Sequence, residues 1–136
     1  MIIEVVGAVI RDDAGRLLTV RKRGTAHFML PGGKREPGED DASSLARELR
    51  EELAIDVISA RLLGRFEAPA ANEPDATVRS SAYIVEIAGD PTVQAEIEEM
   101  RWIDRAPPPD IPIAPLLMSA ILPAIKAWEA RPSGSH

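Results

Sequence analysis

Residues 30–57 read LPGGKREPGEDDASSLARELREELAIDV, from Leu30 to Val57, and the rest of the fold is read outward from them. Two glycines and a Pro-Gly turn lead into a run in which Ala42, Leu45, Ala46, Leu49 and Leu53 recur at helical spacing. Asp40 is a suitable N-cap and Asp41 is favourable beside the positive end of the dipole, so a helix is expected from Asp40 to about Leu53. Glu48, Glu51 and Glu52 are separated by steps of three and four and project from one face, about a third of a turn from the leucine stripe. Carboxylates so placed repel by a few tenths of a kcal/mol per pair, a cost that something must offset. A hard cation such as Mg²⁺ takes oxygen ligands, and carboxylates beside a glycine turn with exposed carbonyls form a suitable cradle. On the glutamates alone a solvated face is the simpler account, because Arg47 and Arg50 are interleaved and Arg47 can pair with Glu51.

Outward from this helix the chain alternates strands and helices. Ile2 to Ile10 is rich in Ile and Val, Asp12-Asp13-Ala14-Gly15 supplies turn chemistry, and Leu17 to Val20 is again apolar, which predicts a hairpin. A loop at Gly24 to His27 and a short apolar Phe28-Met29-Leu30 precede Pro31-Gly32-Gly33. Strands are expected over Val57 to Phe66, Thr77 to Ile87 and Met100 to Ile103, with a loop at Ala68 to Ala76. Pro107-Pro108-Pro109 then blocks regular structure ahead of an apolar helix from about Pro115 to Trp128. This order gives the α/β (α+β) class, a mixed sheet flanked by helices.

Composition limits what the acidic face can serve. The 136 residues make about one domain, and 45% hydrophobic with 28% charged residues is ordinary for a globular protein. The net charge of −6 repels phosphate backbones and anionic membranes, so extended nucleic acid is not an expected partner and an anionic substrate requires a mediating cation. The absence of cysteine excludes disulfides, iron–sulfur clusters and a thiol nucleophile, and makes the cytoplasm the default compartment. The apolar amino terminus carries Glu4 and reads as a buried strand rather than a signal peptide. The uncharged stretch Ile111 to Ile125 is interrupted by three prolines and falls short of the roughly 20 residues a membrane span needs. Arg131 to His136 reads as a flexible tail.

The spacing around the helix is more specific than its charge. From Gly33 there are five residues to Glu39 and seven more to Arg47-Glu48; Leu49, Glu51-Glu52 and Ala54-Ile55 complete the pattern. This resembles the Nudix box, the signature of the Nudix hydrolases, with one departure: Ala54 stands where the family has glycine. The resemblance implies a Nudix-like alpha-beta-alpha sandwich with a mixed central sheet, in a single domain over residues 1–130. It also implies hydrolysis of a nucleoside diphosphate linked to another moiety, with Mg²⁺ or Mn²⁺ held by the box. Glu48 and Glu52 would be the principal ligands, Gly33 a carbonyl ligand, Glu51 a further ligand or the base, and Arg47 the residue orienting a glutamate. Glu39 would act indirectly. Position 54 is where a left-handed C-terminal residue favours glycine, so alanine there either adopts that conformation at a cost or marks a different helix end.

Residues outside the box extend the expectation. An additional acid often completes such sites in the family, and among Glu96, Glu98 and Glu99 the distance to Trp102 favours Glu96; an exposed charged loop is the alternative. Arg21 and Arg23 share a strand face and suit substrate phosphates, or else guard an exposed edge. His27 and Phe28 are more simply structural than base-contacting, and Trp102 is more simply core than a stacking platform. The leading activity is hydrolysis of nucleoside triphosphates or oxidised nucleotides. ADP-ribose or nucleotide-sugar cleavage is the alternative, although Pro69 and Pro74 only bracket the expected proline marker. A non-catalytic regulatory domain is disfavoured because all three box glutamates are present. A homodimer, common in the family, has candidate surfaces in the apolar segments.

Overall fold

β1 (Ile2–Val9), β2 (Leu17–Lys22) and the two-residue β3 (Gly32–Gly33) precede α1 (Asp41–Leu53). β4 (Asp56–Pro69), β5 (Thr77–Ala88) and β6 (Ile97–Ile103) follow, and a π-helical segment, Leu117–Ile121, runs into α2 (Leu122–Glu129). This computed structural model describes residues 1–71 and 73–131, so the expected tail lies outside the described residues beyond Arg131.

Four strands form one sheet in the order β3-β1-β5-β4, with β1 and β5 parallel and the other pairs antiparallel. β2 and β6 form a second, antiparallel pair. Side chains alternate across a strand, and the two cores follow that alternation. Val6, Ala8 and Ile10 pack with Val85 against Leu45, Leu49 and Leu53 of α1, whereas Val9, Ala82 and Ile84 pack against Ile121, Leu122 and Ile125. The sheet therefore lies between two helical layers, the expected alpha-beta-alpha sandwich. Each fully buried leucine of α1 contributes about 2 kcal/mol relative to exposure, enough to hold the acidic helix in place. Among the described residues no helix is long and apolar enough to cross a membrane.

The expected hairpin is corrected. Its turn forms, with Asp12 Oδ1 accepting from the Ala14 and Arg16 N–H groups at 3.0 and 2.8 Å and Gly15 at φ 82°. Beyond it the backbone pairing between the two segments, among the described residues, is the Arg11–Leu17 bridge and the Leu18 N–H to Ile10 carbonyl bond. Both edges of β1 are already occupied by β3 and β5, so β2 diverges to pair with β6. β4 extends past Phe66 to Pro69, and β6 starts at Ile97 rather than Met100 because buried Ile97 anchors the acidic run. The single apolar helix expected from Pro115 is interrupted by the π-helical turn. Pro123 has no N–H to donate, and the wider turn lies immediately before it.

At the end of α1, Asp40 caps as expected, its carboxylate accepting from the Ser43 N–H at 2.8 Å. Ala54 is left-handed, at φ 55° and ψ 39°, and its N–H closes on the Arg50 carbonyl at 3.1 Å. Alanine has the glycine position of the box and also its conformation. Ala54→Gly is therefore expected to stabilise the protein by up to about 1 kcal/mol and leave turnover unchanged. Paired thermal melts and rate measurements test this, and a lower melting temperature would contradict it.

Candidate active site

α1 delivers its carboxylates to β3, where the backbone comes close. Glu52 is only 6% exposed, and its Oε1 accepts the Gly32 N–H at 3.0 Å. Burial pushes the Glu52 carboxyl up from 4.5 to about 7, against the opposing pull of the Gly32 bond and the Lys22 charge. Glu48 lies against Gly33 so closely that a Cβ on that glycine would stand 2.7 Å from the carboxyl carbon. Glu51, on the same helix face, has a side chain 54% exposed. Only Glu51 fits the solvated-face account.

Arg47 is the hub of the box. Its Nε and Nη2 donate to the two oxygens of Glu39 at 2.7 and 2.8 Å, a bidentate pair. Nη1 donates to Glu48 at 2.8 Å and Glu51 at 3.4 Å, and Nη2 also reaches the Lys34 carbonyl at 3.0 Å. The Arg47 guanidinium and the Glu36 N–H hold the Glu39 carboxyl down at about 2, and the paired carboxylates raise Arg47 in turn. Glu39 thus meets Glu48 and Glu51 through Arg47.

A cavity of about 770 Å³ is lined by Gly33, Glu48, Glu51, Glu52 and Glu96. Among the described residues no three acidic or histidine side chains already stand as a ligand group. The donors nevertheless fit a hard divalent ion. They are all oxygens, and the missing side chain of Gly33 leaves the space in which Glu48 rests against the backbone.

Of the acids ahead of Trp102, Glu96 lines the cavity, while Glu99 and Glu98 pair with Arg21 at 3.4 Å and Arg23 at 3.6 Å. Arg21 and Arg23, expected on substrate phosphates, do not line the cavity; their pairs lie along the β2–β6 edge. Lys22 lines it instead. The signal was available: buried Leu18 and Val20 face α1, and alternation carries Lys22 to the same side. Lys34 and Arg35, directly after the glycines, also line the cavity and were not singled out. Arg35 is tied to Asp41 at 2.5 Å, and Asp41 also accepts from the Tyr83 hydroxyl. Phe28 is buried in the α2-side core with Arg101 over its ring, Trp102 packs against the α1-side core, and His27 Nδ1 is buried. None of these three residues lines the cavity, and His27 Nδ1 has no hydrogen-bond partner among the described residues.

Known proteins share both the sequence and the fold. The 8-oxo-dGTP diphosphatase of Haemophilus influenzae is 39% identical over 70 residues, covering 48% of this chain and 52% of that protein. A MutT-like protein of Streptomyces ambofaciens is 38% identical over 65 residues, covering 48% of this chain and 42% of that one. The chain spans about half the length of the curated relatives it matches. Among solved structures, the E. coli ORF135 protein is 28% identical with a TM-score of 0.77, over 97% of this chain and 94% of that one. The MutT NUDIX hydrolase of Burkholderia pseudomallei is 25% identical with a TM-score of 0.74, over 90% and 95%. With the NUDIX domain family model matching residues 1–115, over the strands and helix that build this site, the chain belongs to the NUDIX family.

Proposed function

We propose that this protein is a divalent-metal-dependent pyrophosphohydrolase acting on nucleoside triphosphates or their oxidised forms, with Mg²⁺ or Mn²⁺ as the ion. The observation that carries this reading is the meeting of Glu48 and Glu52, both largely buried, with Gly33 in the wall of a cavity large enough for a nucleotide. The named activity of the Haemophilus influenzae relative supports the substrate class.

When bound, the ion would neutralise pyrophosphate oxygens and lower the pKa of water. Glu48, Glu52 and the Gly33 carbonyl would hold it. Glu51 and Glu96 face the same space as a further ligand or proton acceptor. Arg47 fixes Glu48 and Glu51 against Glu39, which keeps the carboxylates on one side of the cavity before substrate arrives. Lys22, in the place first given to Arg21 and Arg23, brings a positive charge toward substrate phosphates. Nucleotide substrates and the cysteine-free composition support the cytoplasm as the site of action.

A panel of nucleoside triphosphates, oxidised nucleotides, nucleotide sugars, ADP-ribose and dinucleoside polyphosphates, each with Mg²⁺, tests the reading. The expected result is cleavage of the triphosphate class to a nucleoside monophosphate and pyrophosphate, abolished by excess chelator. Full activity in chelator, or preference for ADP-ribose, would overturn it.

A further inference from the structure

The cavity also has an aliphatic wall. Val5, Leu30, Val78, Leu117 and Ile121 line it with aliphatic surface. The chain's five aromatic residues, Phe28, Phe66, Tyr83, Trp102 and Trp128, all lie outside the cavity lining, so a base entering here meets no stacking ring. Set into that aliphatic wall is Ser80 of β5, only 2% exposed. Its hydroxyl makes no side-chain hydrogen bond among the described residues. The oxygen is not among the fully enclosed polar atoms without a partner, so it is free to take a hydrogen bond from a ligand in the cavity and becomes costly only if a ligand covers it unbonded.

Register places Ser80 relative to the chemistry. Ser80 pairs with Val5, and the neighbouring Val6 of β1 pairs with Gly33 on its other side. Ser80 is thus about two strand spacings, roughly 10 Å, from the Gly33 backbone, a span that a sugar and its phosphates fill. Ser80 has the parity of Ala82 and Ile84, whose side chains face the α2 layer, so its own side chain shares that face with Leu117 and Ile121. Gly7 leaves this floor open: a Cβ there would stand 3.3 Å from Leu30 Cδ1 and 3.4 Å from Ser80 Oγ.

We infer that Ser80 determines base specificity, its hydroxyl bonding the polar edge of a base that lies against the aliphatic wall. This rests on the pyrophosphohydrolase reading. A hydroxyl set in an aliphatic wall selects by the bond it makes, because a base that covers it without bonding leaves the hydroxyl unsatisfied. Mutating it should therefore change the ranking of bases more than the rate of the chemical step.

The test measures kcat and KM for the four nucleoside triphosphates and an oxidised guanine nucleotide, with Mg²⁺, in the wild type, Ser80→Ala and Ser80→Cys. Cysteine fills nearly the same volume but is a weak donor, so it separates bonding from packing. Both variants are expected to lower kcat/KM for the preferred nucleotide about tenfold, chiefly through KM, and to compress the ranking among bases. A uniform loss across all bases, an unchanged ranking, or a Ser80→Cys protein that ranks bases as the wild type does would overturn the inference. A wild-type protein that cleaves no nucleotide with Mg²⁺ would instead remove the underlying reading, and this inference with it.

Discussion

Glu52→Gln is expected to cut turnover at least about 100-fold and, in chelator near neutral pH, to raise the stability of the protein. The two effects have opposite signs because one carboxylate serves function at the expense of the fold. Its burial beside Gly32 lifts its proton affinity from 4.5 to about 7. Between those values the folded, metal-free protein holds a proton that the unfolded chain releases, so stability is fully present below about 4.5 and is lost as pH rises through about 7. The loss amounts to about 3 kcal/mol if the whole shift is expressed. Glutamine keeps the shape and can still accept from the Gly32 N–H, but it does not ionise. Melts in chelator at pH 5 and pH 8 should therefore show a falling melting temperature for the wild type and a much smaller fall for Glu52→Gln. With Mg²⁺ present, the wild type should regain stability at pH 8 and the variant should not. Near-normal turnover in Glu52→Gln would place this residue outside the reaction.

How much of this site was legible depended on how local its determinants are. The Asp40 cap, the leucine stripe and the acidic face of α1 are all set by the thirteen residues of the helix and the one before it, and all three stand as read. Arg47 and Glu39 are eight residues apart, and their pairing follows from the same helix start. The β1–β2 pairing was misread because its outcome is decided far away in sequence. β5 takes one edge of β1 from more than seventy residues downstream, and turn chemistry at Asp12 to Gly15 carries no information about that competition. Lys22, which lines the cavity where Arg21 and Arg23 do not, was passed over for another reason. Charge was weighed without the strand parity that Leu18 and Val20 already supplied. Ser80 gave no signal in sequence, since a serine acquires meaning only when the wall around it is known to be aliphatic.

The paired glycines of β3 should separate fold from chemistry most sharply. Gly32 adopts φ 144°, and a Cβ there would fall 2.0 Å from the Val6 carbonyl oxygen, a backbone atom fixed by the β1–β3 ladder. Gly32→Ala must therefore break that ladder and draw the Gly32 N–H away from Glu52, with an expected loss beyond about 4 kcal/mol or failure to fold. Gly33 has no such backbone demand. Its added Cβ would meet the Glu48 carboxyl carbon at 2.7 Å, the far end of a side chain that can swing aside. Gly33→Ala should consequently melt within about 1 kcal/mol of the wild type. Displacing Glu48 from its place against the backbone should weaken Mn²⁺ binding and turnover together, by about 10- to 100-fold. Thermal melts and Mn²⁺ titration of the two variants read these outcomes independently. A stable Gly32→Ala protein would mean that β3 does not hold its backbone against Val6. A Gly33→Ala protein with normal metal affinity would mean that the contact between Gly33 and Glu48 is packing alone, and that the ion is held by the remaining carboxylates.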